Sequence, residues 1–204
     1  ARARIGVVVL ATDYTIEHEF RAVMTPLPGV DFYAARIPSS LTVNPENLAA
    51  MGPHITKTVD LILTPGDVQV VAYGCPSAST VMGVEEIARC IHESRPGVSA
   101  TNPVRAAFTA LRALKARKIA ILTPYARDVN VIVRQYFLDG GFEIPVFGTF
   151  NIDHDPTSAA IDVPSLKRAV HAIAEGRDID AVFVSCTNIR LVEAVEELEA
   201  ELGM

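Results

Sequence analysis

Two of the three cysteines in this 204-residue chain sit at matching points. Cys75 follows an apolar run in "VVAYGCPSAST" (70–80), and Cys186 follows another in "AVFVSCTNIR" (181–190). In both, a buried-strand pattern breaks into small and hydroxyl residues directly after or around the cysteine. A thiolate is a strong nucleophile and a workable base, and local N–H donors bring its pKa towards neutrality. Both cysteines are followed by segments leading into helices, Pro76-Ser77-Ala78-Ser79 and Thr187-Asn188. Free N–H groups at helix N-termini would lower a thiol pKa and hold a carboxylate. Two such loops facing one another suit a small carboxylic acid.

Other readings of the pair are weaker. A cysteine ending a buried strand is often only a small hydrophobe, but that account must be invoked twice at equivalent positions. A disulfide does not suit the cytoplasm, the compartment that three cysteines suggest. A zinc site needs about four ligands, and no histidine lies near either loop in sequence. Cys90, inside "VEEIARCIHES", reads as core. His18, His54, His92, His154 and His171 read as surface or boundary residues, although His154 in "NIDHDPT" follows a strand and could approach a cleft.

The elements that would position these loops alternate along the chain. Apolar runs at 5–11, 30–37, 68–74, 97–102, 118–125, 145–152 and 179–186 read as strands. Between them lie helical patterns: 15–24, one or two helices over 44–63 interrupted at Gly52-Pro53, 83–94, 103–116, 127–141 ending at Gly140-Gly141, and 164–176. A last helix follows over 190–203, and its clustered acids read as a solvated face. Asn44 with Pro45 marks a helix start. Strands alternating with helices of 10–15 residues make parallel β-α-β units, and continuous apolar strands fit sheets covered on both faces.

The order repeats. "ARIGVVVLATD" resembles "ARKIAILTPYA" about 114 positions later, and "VQVVAYGCPSA" resembles "IDAVFVSCTNI" 111 positions later. The expected fold is therefore α/β, with two similar Rossmann-like lobes related by a pseudo-twofold axis: residues 1–112 with the first cysteine and 113–204 with the second. Ligands of open α/β sheets bind outside the carboxyl ends of the strands. Both cysteines should therefore reach one inter-lobe cleft.

Composition narrows the partners. Half of the residues are hydrophobic, as in a folded chain. A net charge of −6 argues against nucleic acid. No run approaches the roughly 20 apolar residues of a membrane span, and the short apolar run after the N-terminal arginines reads as a first strand rather than a signal peptide. The expectation is a cytoplasmic protein binding a small carboxylic acid, without metal or organic cofactor, and compatible with a homo-oligomer.

The motifs "LATDYTIEHEF" (10–20), "YGCPSAS" (73–79), "LTPYARDVN" (122–130) and "SCTNIR" (185–190) resemble the aspartate/glutamate racemase superfamily, in its maleate cis-trans isomerase and arylmalonate decarboxylase branch. The resemblance covers essentially the whole chain, and "ATDYTIEHEF" is more loosely similar to ectoine-utilisation proteins of that branch. It implies that Cys75 is the nucleophile or first acid/base and Cys186 the second acid/base. It also implies that Tyr125 hydrogen-bonds a substrate carboxylate, with further carboxylate contacts near Pro76, Ser77, Thr187 and Asn188. Family members continue with one more strand and helix, so the last strand and helix of one lobe are expected to lie outside this sequence. Maleate isomerases carry asparagine where this chain has Asp13, and a carboxylate there repels a dianion. That leaves room for a substrate with a cationic or hydroxyl group. Decarboxylases of the branch have a small residue in place of the first cysteine, so the presence of both disfavours that reaction. Racemases usually place an acid or histidine beside the second cysteine, where this chain has Asn188. The expected function is a cofactor-independent, maleate isomerase-like isomerase, with an amino-acid racemase, a decarboxylase and a non-catalytic acid-binding protein as alternatives.

Overall fold

The computed structural model describes residues 1–64 and 66–204. The first half runs β1 (Ala3–Leu10), α1 (Ile16–Met24), β2 (Val30–Ile37), α2 (Pro45–Ala49), α3 (Gly52–Asp60), β3 (Val70–Tyr73), α4 (Pro76–Met82), α5 (Val84–Ser94), β4 (Ser99–Thr101) and α6 (Pro103–Ala113). The second half runs β5 (Lys118–Tyr125), α7 (Arg127–Asp139), β6 (Glu143–Ile152), α8 (Asp155–Ser158), α9 (Val163–Ala174), β7 (Ala181–Val184) and α10 (Val195–Leu202).

Two parallel sheets result, ordered β2-β1-β3-β4 and β6-β5-β7. Both place the first strand of the half in the middle, with the second on one side and the cysteine-bearing strand on the other. The correspondence extends beyond the strand ends. The Gly74 N–H donates to the Val8 carbonyl and the Ser185 N–H to the Leu122 carbonyl, each at 2.8 Å. Cys75 and Cys186 each follow their strand by two residues.

Local chemistry sets the helix limits. Asn44, Asn102 and Asp162 cap α2, α6 and α9 through side-chain oxygens that accept the N–H of the third residue on, and a proline opens each helix. The break expected at Gly52-Pro53 occurs one step earlier, at Ala50-Met51. Gly52-Pro53 instead opens α3, because proline lacks the N–H that a helix start leaves unpaired. Helix α7 stops at Gly140-Gly141, where Gly141 takes a positive φ of 90°. Three elements differ from expectation. The small-residue run after Cys75 forms a helix of its own, α4, a short helix, α8, follows β6, and the last helix begins at Val195 rather than at Arg190.

One continuous core joins the two halves. Ile37, Ile55, Val71 and Tyr73 from the first belong to the same buried cluster as Ile119, Ile121, Val133 and Phe137 from the second. Helix α4 packs on α6 and α7, so the segment just after Cys75 is held from both sides. Cys90 is buried in this core. Among the described residues, no helix is long and apolar enough to cross a membrane.

Candidate active site

A small cavity opens where the strands of both sheets end. Its walls include Asp13 after β1, Ser39, Ser40 and Thr42 after β2, and Cys75, Pro76 and Ser77 after β3. The second half contributes Tyr125 at the end of β5, Asp155 after β6, and Cys186, Thr187 and Asn188 after β7. All eight residues singled out in the sequence thus line one cavity, as the carboxyl-end rule requires.

Cys75 is the N-cap of α4. Its sulfur accepts the Ala78 N–H at 3.4 Å and lies 3.4 Å from the Ser77 hydroxyl. Pro76 occupies the first helical turn without an N–H of its own. The Ser77 N–H, also in that turn, has no acceptor within the helix. Gly74, just before the cysteine, is obligatory: a Cβ there would come within 2.5 Å of the Ile16 side chain and 2.9 Å of the Val8 carbonyl. Cys186 differs. No helix starts behind it, and its sulfur accepts one N–H, from Asn188, at 3.3 Å. The helix-terminus expectation therefore holds for Cys75 and fails for Cys186.

The thiol pKa expectation is also corrected. Burial pushes Cys75 up to about 12, outweighing the Ser77 and Ala78 donors, and Asp155 and Asp13 push it in the same direction. Burial, then Asp155, drives Cys186 well above its ordinary value. Both thiols are protonated near neutral pH in this structure.

Thr187 and Asn188 tie the halves together. The Thr187 hydroxyl lies 2.9 Å from both the Asp13 carboxylate and the Gly74 carbonyl, and the Thr187 carbonyl accepts the Thr15 hydroxyl at 2.7 Å. Asn188 accepts the Tyr14 N–H at 2.9 Å, and its amide donates towards Asp155 and the Thr12 carbonyl. Asp13 is 1% exposed, and donors engage both of its oxygens: the Thr15 and Ile16 N–H groups on one at 2.9 Å, Thr187 on the other. It caps the start of α1 while lining the cavity. Burial nevertheless raises its pKa.

Tyr125 is 3% exposed, and its hydroxyl has no hydrogen-bond partner in the protein. Ser77 and Ser185 are the neighbouring hydroxyls, but neither meets it in hydrogen-bond geometry. Burial keeps the phenol protonated, so it is an unpaired donor on a residue of the cavity wall.

The residue that sequence reasoning missed is Asp155. Its neighbour His154 drew attention for following a strand, yet His154 is exposed and bonds Thr157, whereas Asp155 is buried in the cavity wall. The Thr12 hydroxyl and the Asn188 amide reach its carboxylate. Among the described residues, no histidine lines the cavity, and no group of three or more His, Cys, Asp or Glu converges as metal ligands.

The arylmalonate decarboxylase family profile matches residues 76–204. The chain belongs to that family. Within it, the chain is 28% identical to the maleate isomerase of Nocardia farcinica over 98% of its own length and 83% of the relative's. It is 27% identical to the arylmalonate decarboxylase of Bordetella bronchiseptica over 53% of its own length and 45% of the relative's. The fold superposes on a cysteine-to-serine mutant of the Nocardia farcinica maleate cis-trans isomerase that holds a covalently bound succinylcysteine intermediate. The TM-score is 0.86 at 27% identity, covering 99% of this chain and 85% of that one. What the arrangement offers chemically is two thiols in one cavity, one with extra donors, beside a buried phenol.

Proposed function

We propose that the protein is a cofactor-independent, cysteine-based isomerase of the maleate cis-trans type, acting on a small unsaturated carboxylic acid. The observation that supports this best is the meeting of Cys75 and Cys186, from equivalent strand ends, in one cavity with the unpartnered Tyr125 hydroxyl.

The two cysteines take unequal parts. Cys75 has an N–H and a hydroxyl at its sulfur, Cys186 a single N–H. Donors at sulfur favour the thiolate, so Cys75 is the nucleophile and Cys186 the acid. The Cys75 thiolate bonds to one olefinic carbon, and Cys186 gives its proton to the other. The carbon–carbon bond is then single and rotates. The Cys186 thiolate takes the proton back, the carbon–sulfur bond breaks, and the Cys75 thiolate leaves. The cycle starts and ends at the Cys75 thiolate, whose proton has gone to solvent beforehand, and sulfur, protons and charge balance across it without a further reagent. In this reading Tyr125 and the Ser77 hydroxyl hold the substrate carboxylate conjugated to the double bond. These donors stabilise the charge that carboxylate gains during addition. High thiol pKa values make the reactive ionisation a minor population until a ligand changes the field in the cavity.

The test is incubation with small cis-unsaturated acids and α-substituted acids in D₂O, followed by NMR without added cofactor. Cis-to-trans conversion of at least one acid is the expected outcome. α-Deuteration alone would make the protein a racemase, CO₂ loss a decarboxylase, and no reaction across the panel a binding protein.

A further inference from the structure

Two carboxylates line the cavity of the reacting thiols, and the imidazole of His154, outside the cavity wall, is a favourable charge contact for Asp155. Asp13 and Asp155 both line the cavity, and among its described lining residues none is Lys, Arg or His. The nearby Arg36 is occupied elsewhere: its guanidinium donates to the Leu10 and Asp13 carbonyls and pairs with Glu17 at 2.8 Å. His154 is exposed and held by Thr157.

The two carboxylates are not equally satisfied. A carboxylate offers about four acceptor sites. Asp13 receives three donors, two of them backbone N–H groups. Asp155 receives the Thr12 hydroxyl and an Asn188 amide at 3.2 Å, and that amide is shared with the Asp155 and Thr12 carbonyls. Two N–H bonds cannot serve three acceptors in full, so Asp155 keeps acceptor capacity inside a buried wall. The Tyr125 hydroxyl sits with Ser77, Ser185 and the thiols, whereas Asp155 lies beside the loop of Ser39, Ser40 and Thr42, where Ser39 is 3.0 Å from the Thr12 hydroxyl that serves Asp155. The spare carboxylate capacity of the cavity is therefore on the Asp155 side, among small hydroxyls, and the phenol donor is on the side of the thiols.

We propose that the acid this site takes carries a nitrogen cation that meets Asp155, with its one carboxylate at Tyr125 and Ser77, in place of the second carboxylate of maleate. The inference rests on the two-cysteine reading and specifies its substrate class. A dianion would set a second negative charge against Asp155 and Asp13 and hold the thiols protonated more firmly. An ammonium group would neutralise Asp155, the charge that opposes ionisation of both thiols.

The experiment compares two acids of nearly the same shape, maleate and cis-4-aminobut-2-enoate. Dissociation constants are measured by calorimetry on the Cys75→Ala enzyme, where turnover cannot interfere, and conversion is followed by NMR on the wild type. The amino acid should bind at least about tenfold more tightly than maleate, the scale of exchanging a repulsive for an attractive charge contact at a part-buried site. Adding Asp155→Asn should abolish that preference, and Asp155→Glu, which keeps the charge, should retain it even if both affinities fall. Maleate binding equally or better, or a preference unchanged by Asp155→Asn in a protein that folds normally by circular dichroism, would overturn the proposal. Binding by neither acid would overturn it as well. Efficient conversion of maleate but not of the amino acid would overturn it while leaving the two-cysteine chemistry standing. Binding of the amino acid with the expected preference, but conversion of no acid, would support the binding polarity and remove the isomerase reading.

Discussion

Replacing Asp13 by asparagine should leave the stability of the fold nearly unchanged, whereas replacing it by alanine should lower it. One Asp13 oxygen accepts the Thr15 and Ile16 N–H groups, and the other accepts the Thr187 hydroxyl, each at 2.9 Å. Asparagine keeps the capping oxygen. Its amide takes the place of the second oxygen and donates to the Thr187 hydroxyl, whose proton then serves the Gly74 carbonyl 2.9 Å away. Every group stays paired, so the change should be worth no more than about 0.5 kcal/mol. Alanine removes the cap, about 1 kcal/mol, and the bond to Thr187, about 1 kcal/mol more. A loss of about 2 kcal/mol lowers the Tm of a chain this size by about 4–8 °C. Urea and thermal unfolding of the three proteins measure this. The pH dependence adds a second readout. Burial raises Asp13 above 3.8, so the folded state binds its proton more tightly than the unfolded state does. Stability attributable to Asp13 is then fully present below about pH 4 and is lost as pH rises through the folded pKa. Asparagine escapes that loss, so it should compare better with the wild type at pH 7 than at pH 4. Maleate-like dianions should also bind better to Asp13→Asn, since a charge that opposes them is gone. An asparagine variant as unstable as the alanine variant, or an alanine variant within about 0.5 kcal/mol of the wild type, would refute the reasoning.

Two further outcomes follow from the buried groups. Tyr125→Phe removes a hydroxyl with no protein partner; its unfolding free energy in urea should hold or rise by up to about 1 kcal/mol, while isomerisation falls tenfold or more, and a clear destabilisation would show that the hydroxyl serves the fold. With its thiol at about 12 against an ordinary 9.0, Cys75 should react with iodoacetamide at pH 8 about 10³-fold more slowly than a free thiol and speed up about tenfold per pH unit; labelling at the free-thiol rate would contradict the burial argument.

The sequence made the paired strand ends legible because a buried parallel strand leaves a continuous apolar run, and its end is abrupt in composition. That is why Cys75 and Cys186, 111 positions apart, point to one cavity from the sequence alone. Asp155 stayed hidden because a lone acid after a strand is ordinary, and α8, four residues long, carries no periodicity. What gives Asp155 its place is the pairing of the 153–155 segment with the loop after β2, through the Val43 N–H to the Asp153 carbonyl and the Asp155 N–H to the Leu41 carbonyl. Such long-range contacts leave no local pattern. The thiol pKa values were misread for a related reason. Donors at a helix start are visible in sequence, but the depth of burial that outweighs them is a property of the assembled halves. The late start of α10 has the same origin, since the Leu191 and Val192 N–H groups bond Glu19 of α1 at 2.6 and 2.8 Å instead of entering a helix.

Mass spectrometry of the Cys186→Ser enzyme after incubation with its unsaturated acid tests the division of labour between the cysteines most directly. Serine at 186 stays protonated near neutral pH and cannot take the proton back, so the carbon–sulfur bond formed at Cys75 should persist. The expected result is a mass increase of one substrate molecule, located on Cys75 and absent from the Cys75→Ser enzyme, which should also lose isomerisation by about 10³-fold or more if the covalent route is lost. An adduct-free Cys186→Ser enzyme, with the two serine variants equivalent up to the stereochemical direction of proton exchange, would contradict the covalent isomerase and identify a two-base racemase.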